Sequence, residues 1–307
     1  MKRVLVLSFS DDKNKNILLD LINDSEKADA ACVFVSHNIF LRAIRRWSLL
    51  YRLPGVGCWM GAWKHQIKEY DVVICIASSY SSAVLEWIHK KNPNAKLVNY
   101  YWDKISVANY PIIDSMAYEN WSFDKKDCEK YGFQYNAQFF VNDLKLEKAK
   151  LTYDISFVGA DREGKWQDRI TFVDNCYDLF QQYGFCTYFY FVSKNPPFQR
   201  DYIYDKRLTE EEFYQVTAQS KVVLEIVQPE EEWLTLRPLL ALSNMKKLIT
   251  NNKWIKEERF YSKENVFILG EDENDRLFHF VNTPFVEIKE EDLKYYELEA
   301  WLERFCR

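Results

Sequence analysis

The sequence predicts an α/β protein built as two Rossmann-like, doubly wound domains facing a cleft. Three observations predict it. Short runs of β-branched and aromatic residues recur along the 307 residues, nearly continuous in apolar character, as strands covered on both faces must be. Between them lie longer segments whose apolar residues fall three and four apart, the helical period. The alternation stops at the charged stretch "NDLKLEKAKLT", residues 142–152, and then restarts. That break divides the chain into two parts of ordinary domain size.

The first domain, residues 1–145, opens with "RVLVLS" (Arg3–Ser8) and continues with "ACVFVS" (Ala31–Ser36), "DVVICIA" (Asp71–Ala77) and "KLVNYYW" (Lys96–Trp102). These are the residue types that pack well on a pleated surface. "NKNILLDLIND" carries Ile17, Leu18, Leu21 and Ile22 at helical spacing, and "SSAVLEWIHKK" does the same with Val84, Leu85 and Ile88. Each makes one apolar stripe for the sheet. The cluster "GVGCWMG" (Gly55–Gly61) lacks the G-x-G-x-x-G spacing and follows no strand, so it reads as a turn and not as a dinucleotide loop. The second domain, residues 146–288, begins with "YDISFVG" (Tyr153–Gly159), followed by "TYFYFV", "KVVLEIV", "KKLIT" and "NVFIL", with "LTEEEFYQVTAQS" among the helical segments. The remaining residues, 289–307, continue an amphipathic pattern, "EEDLKYYELEAWLERF", expected to form a helix packing back across the domains.

Composition excludes several classes. Apolar residues make up 48% and aromatics 17% of the chain, ample for large cores. With 41 basic and 46 acidic residues the formal net charge is −5, which argues against a nucleic-acid partner. No stretch approaches the roughly 18 apolar residues that span a bilayer. The basic start "MKRVLVLSFSDDKN" loses its apolar run too early for a secretory signal. Seven scattered cysteines without a C-x-x-C pair fit reduced thiols in a cytoplasmic protein. Four scattered histidines give no zinc cluster, and no G-x-S-x-G elbow supports a hydrolase.

The chemistry gathers at two strand ends of the second domain, where open parallel sheets bind ligands. "YDISFVGADREGKW" leaves its strand at Gly159 and offers Arg162, Gly164 and Lys165. Glycine lets backbone approach a ligand, and the two cations can neutralise a diphosphate. In "LTLRPLLALSNMKKLITNN" (Leu234–Asn252), Thr235 is a plausible N-cap, with Arg237 and Pro238 in the first helical turn. A cation there is unfavourable by roughly 0.3–1 kcal/mol, unless an anion such as phosphate sits at the helix start. The plain alternative for either loop is a set of solvated charges; two basic loops at neighbouring strand ends outweigh either alone.

The order "YDISFVG…R", "SKVVLEI…P…LTLR", "KKLITNN", "FYSKENVFIL", preceded by "YDVVICI" and "ENWSFDKKDCEKYGFQYNAQFF", resembles bacterial glycosyltransferases of the GT-B fold that build capsular and lipopolysaccharide chains. The likeness covers roughly residues 70–280. It implies a nucleotide-sugar donor held by the second domain, its diphosphate near Gly159, Arg162, Thr235 and Arg237, and an acceptor against the first. The family's loop reads Gly-Leu-Thr-x-Arg-x-x-Glu, with the glutamate on the nucleotide ribose. Here Trp233 holds the glycine position and Leu240 the glutamate position, so ribose recognition is left to Glu225, Gln228 or Glu231, or donor binding is lost.

No D-x-D motif occurs, whereas a GT-A enzyme needs one to hold its metal. The expectation is metal-independent transfer with no cofactor. An inverting enzyme needs a general base in the acceptor domain, for which Asp11, Asp103 and His37 are candidates, each also an ordinary polar residue at a strand end. "NIFLRAIRRWSLLYRLPG" places Phe40, Ile44, Trp47 and Tyr51 on one helical face, with Arg42, Arg45, Arg46 and Arg52 elsewhere. Such a helix suits an anionic membrane surface, with Arg42, Arg45, Arg46 and Trp47 as the contacts; the alternative is a helix packed on the sheet. The expected partners are a nucleotide-sugar and an oligosaccharide or lipid-linked acceptor. The expected location is the cytoplasm, at the inner face of the plasma membrane if that helix binds lipid. A second class stays open: a non-catalytic relative that binds carbohydrate or a partner enzyme through an eroded donor site. A nucleotide-sugar epimerase ranks below both, for want of a glycine-rich loop.

Overall fold

A computed structural model describes residues 2–9, 17–24, 26–35, 38–51, 53–108, 110–112, 115–140, 146–161, 167–228 and 234–307. The chain divides into two compact units, Met1–Val141 with Tyr296–Arg307, and Asn142–Tyr295.

The first unit runs β1 (Val4–Ser8), α1 (Ile17–Asp24), β2 (Ala28–Cys32), α2 (Ile39–Leu50), β3 (Val72–Ile76), α3 (Ser81–Lys91), β4 (Lys96–Tyr101), α4 (Ile105–Ala108), β5 (Glu119–Ser122), α5 (Lys125–Tyr131) and β6 (Gln134–Tyr135). The strands form one parallel sheet in the order β2-β1-β3-β4-β5-β6. All five residues of β1 are buried, which is why the strand lacks polar alternation: both of its faces lie under other elements. Leu5, Leu7, Val73, Cys75 and Leu97 meet Val84, Leu85 and Ile88 of α3 in one core.

β2 begins three residues earlier than the apolar run at Ala31–Ser36 suggested. Pairing decides this: β1 holds Ala28 to Cys32 in register with Val4 to Ser8, and Phe34 turns away to bridge Met60. Gly55–Gly61, expected to be a turn, contains a 3-10 helix at Val56–Trp59.

The second unit runs β7 (Tyr153–Ala160), α6 (Gln167–Gln182), β8 (Thr187–Val192), β9 (Ile203–Tyr204), α7 (Glu210–Ala218), β10 (Ser220–Glu225), α8 (Leu236–Ser243), β11 (Lys247–Thr250), β12 (Val266–Ile268), α9 (Leu277–Asn282) and α10 (Glu290–Lys294). Its parallel sheet has the order β12-β11-β10-β7-β8-β9. The chain therefore winds outward from β7 in one direction and from β10 in the other. The crevice at the carboxyl ends of these two strands is the topological switch point, where such sheets take ligands. Ile155, Phe157, Phe189, Phe191, Val222 and Leu224 form the centre of the core beneath it.

The amphipathic tail is not one helix. α10 ends at Lys294 and α11 (Leu298–Phe305) starts afresh, because Phe140 N donates to Tyr296 O at 2.8 Å and Phe140 bridges Glu297. α11 belongs to the first unit, where Trp301 lies against Tyr100, Phe139 and Phe305.

Candidate functional site

At the switch point of the second unit, two arginines converge on the last turns of backbone in β7. Arg237, in the first turn of α8, donates through Nη2 to Val158 O at 2.7 Å and through Nη1 to Leu224 O at 3.3 Å. It thereby ties β7 to β10 at the crevice. Arg169, in the first turn of α6, donates to Ala160 O at 3.3 Å. Parallel strands present carbonyl oxygens at their carboxyl ends, and these partial negative charges offset a cation that the helix dipole alone would disfavour. Arg237 also lies 5.8 Å from the Phe157 ring centroid. Burial pulls its pKa down and the nearby Glu225 carboxylate pushes it up; a guanidinium stays charged through such opposing shifts.

Glu225 is buried at the end of β10. Thr235 Oγ1 donates to its Oε1, and Thr250 Oγ1 donates to Oε2 at 2.8 Å. Thr235 also caps α8, accepting from Arg237 N at 3.4 Å. Asn251 clamps the segment that follows β10, accepting from Val227 N at 2.8 Å and donating to Val227 O at 2.9 Å. Asn252 caps the 3-10 turn at Lys253–Glu257. The polar end of "KKLITNN" thus fixes the crevice wall. Its first strand residue, Lys247, is buried instead, donating to Phe280 O at 2.9 Å and Thr283 Oγ1 at 2.8 Å.

Of the residues expected near the diphosphate, Thr235 and Arg237 come together here with Glu225, a candidate for ribose recognition, and Gly159 lies in β7 beside them. A Cβ on Gly159 would fall 2.6 Å from the Phe157 ring, so packing against Phe157 already requires a glycine there. Gln228 follows β10 in the same segment that Asn251 clamps. Arg162, Lys165, Glu231 and Trp233 lie outside the described residues. Leu240 sits one turn further along α8, its carbonyl accepting from Asn244 at 2.9 Å. Arg169, Thr250 and Asn251 are the participants that the motif search passed over. The signal for Arg169 was the one used for Arg237, a cation in the first turn of a helix that follows a strand.

The second unit also carries a cavity of about 740 Å³ along α7, lined by Glu147, Glu210 and Glu211 against Lys148. Its net sign is wrong for a diphosphate. Among the described residues, no three His, Cys, Asp or Glu side chains gather as metal ligands would.

In the first unit, Asp103 is exposed just beyond the carboxyl end of β4; Asp11 and His37 lie outside the described residues. Phe9 and Tyr80, at the carboxyl ends of β1 and β3, meet Phe34 edge-on with centroids 5.6 and 6.5 Å away. α2 is held to this aromatic group by Arg45, whose guanidinium sits 4.4 Å from the Phe34 centroid and donates to Val35 O at 3.4 Å. Arg45 is 7% exposed and faces inward with Ser48 and Leu49, so it leaves the set expected to contact a membrane. The outward face is apolar: Ile39, Phe40, Ile44, Trp47, Leu50 and Tyr51 are exposed, Phe40 by 70% and Trp47 by 60%. Arg42 and Arg46 are exposed beside it, and Arg52 lies outside the described residues. No helix among the described residues is long and apolar enough to cross a membrane.

Two parallel, doubly wound sheets in tandem define the GT-B architecture, and the solved structures that match this chain share it. Sucrose-phosphate synthase from Thermosynechococcus elongatus superposes with a TM-score of 0.58 at 9% identity, over 100% of this chain and 98% of that one. The DNA-modifying enzyme β-glucosyltransferase, solved with and without uridine diphosphoglucose, gives 0.51 at 12% identity, over 99% and 92%. Anabaena HepE, solved in complex with UDP, gives 0.51 at 11% identity, over 100% and 98%. At such identities the likeness is one of fold. No protein-family model and no curated protein matches the sequence.

Proposed function

We propose that the protein is a glycosyltransferase, moving a sugar from a nucleotide-sugar donor to a growing surface polysaccharide or a lipid-linked acceptor. The observation that carries this is the pair Arg169 and Arg237, anchored on the final carbonyls of β7 at the switch point. Transfer breaks the bond between the anomeric carbon and the diphosphate oxygen, and negative charge grows on the departing diphosphate. Fixed cations and helix N-termini stabilise that charge without reorganising. Gly159, Arg162, Lys165, Thr235, Glu225 and Gln228 complete the proposed donor set. Glu225, with each oxygen held by a threonine, is proposed to position Thr235 and balance Arg237. The acceptor is proposed on the first unit, with Asp103, Asp11 or His37 as general base. The exposed apolar face of α2, flanked by Arg42 and Arg46, supports a lipid-linked acceptor met at an anionic membrane.

Thermal melting with UDP-, GDP- and CMP-sugars tests the donor. One nucleotide class should stabilise the protein, by about 2.7 kcal/mol at a hundredfold excess over Kd, and Arg169→Gln should abolish the gain. Silence across all three classes would sink the enzyme reading. Sugar transfer should persist in EDTA; activity lost there and restored by Mn²⁺ would overturn metal independence. The non-catalytic alternative is favoured by Leu240, which cannot accept a ribose hydroxyl, and it forecasts that silence together with carbohydrate binding.

A further inference from the structure

We propose that the first unit carries a second ligand site, for an acidic saccharide, separate from any donor or acceptor position described above. A surface cavity of about 490 Å³ opens beside α3, lined by Trp87, Lys64, His65, Lys68 and Lys91, and among the described residues no carboxylate lines it. In a chain of net charge −5, three ammonium groups and an imidazole around one hollow are not a consequence of composition.

The wall is built, not incidental. Trp87 is held edge-on by buried Trp63, with centroids 6.1 Å apart at 89°. The Gly55–Gly61 turn lies directly on the indole: a Cβ at Gly57 would come within 2.8 Å of Trp87 Nε1. Lys64 Nζ donates to Gly57 O at 2.9 Å, fixing one ammonium over that turn, and Lys91 Nζ stands 5.9 Å from the Trp87 centroid. Asn92 donates to Ile67 O and Tyr70 O, both at 2.9 Å, locking the end of α3 to the segment that carries Lys68. The part of the half-buried Trp87 indole that lines the hollow offers an apolar surface for the C–H groups of a pyranose ring. The ammonium groups supply the charge for a carboxylate or phosphate on that ring. The volume falls in the range of small-ligand sites.

Ile67–Glu69 lies two residues before β3, and α3 ends four residues before β4 begins. The cavity therefore runs along the flank of α3 from the Gly55–Gly61 turn, and its Lys68 and Lys91 end lies towards the amino ends of the strands, away from the edge where ligands of the proposed reaction would bind. Its role is to retain an anionic glycan chain; that role rests on the transferase reading, whereas the binding itself does not.

Titration calorimetry of the full chain with an oligogalacturonate, neutral maltohexaose and inorganic phosphate tests the site. The uronate oligomer should bind, weaken with added salt, and weaken about tenfold or more in Lys68→Glu/Lys91→Glu, whose positions are exposed and whose melting should be unchanged. Trp87→Leu should weaken it too, with the charge retained. Undiminished binding in the double variant overturns the proposal. So does maltohexaose or phosphate binding as tightly as the uronate oligomer, or no uronate binding at all. The same double variant should keep any nucleotide-sugar stabilisation, so failure here is distinct from failure of the donor site.

Discussion

A guanidinium in the first turn of a helix can meet an anion or it can meet carbonyl oxygens, and Arg237 does at least the second. Its bonds to Val158 O and Leu224 O join the two strands that define the switch point, with Glu225 as the neighbouring negative charge. Arg237→Leu would leave those carbonyls without their donor and Glu225 without its cation. The expected cost is about 3 kcal/mol, read as a lower denaturation midpoint at unchanged m-value; Arg237→Lys should recover part of it. A midpoint unmoved in Arg237→Leu would show that the bonds to the strands contribute nothing. The presence of a cation at this helix start was legible in the sequence. Its carbonyl partners were not, since Val158 and Leu224 lie 79 and 13 residues away.

At the scale of elements, α2 shows how a helical pattern can be read correctly and oriented by something the pattern does not contain. Phe40, Ile44, Trp47 and Tyr51 do share a face, but that face looks outward. Arg45, Ser48 and Leu49 turn inward, because Phe34 receives the Arg45 cation and Trp59 Nε1 donates to Ser48 Oγ at 3.3 Å. Trp47 and Tyr51 stack on the outer side, centroids 5.3 Å apart. If this face meets an anionic bilayer, the protein should co-sediment with phosphatidylserine vesicles. Arg42→Glu/Arg46→Glu should weaken that binding by about 1 kcal/mol or more per arginine, and Trp47→Ser should weaken it with charge intact. Equal partition onto neutral and anionic vesicles, or none onto either, would remove the membrane contact.

For the whole molecule, the division into two units places the last helix with the first. Trp301 of α11 is fully buried among Tyr100, Phe139 and Phe305, and Phe305 in turn meets Trp121 at 4.9 Å. α11 therefore packs on aromatic side chains of β4, β5 and the segment after β6. Trp301→Ala should cost about 3–5 kcal/mol, seen as earlier melting of the first unit; a loss below about 1 kcal/mol would mean that α11 is a loose appendage. The tail's amphipathic character announced a buried helix, while the break at Tyr295–Glu297 comes from the Phe140 pairing, contributed by a residue far earlier in the chain.

By itself the sequence determined the α/β class, the tandem organisation and the position of most strands, because burial on both faces leaves a local apolar signature that needs no partner to be recognised. It also marked Thr235 and Arg237. Tertiary structure alone decided the sheet orders, the start of β2, the inward turn of Arg45, and the meeting of Arg169, Arg237 and Glu225 at one crevice. Those outcomes depend on hydrogen bonds and packing between residues distant along the chain, and local periodicity carries no record of which distant group will be there.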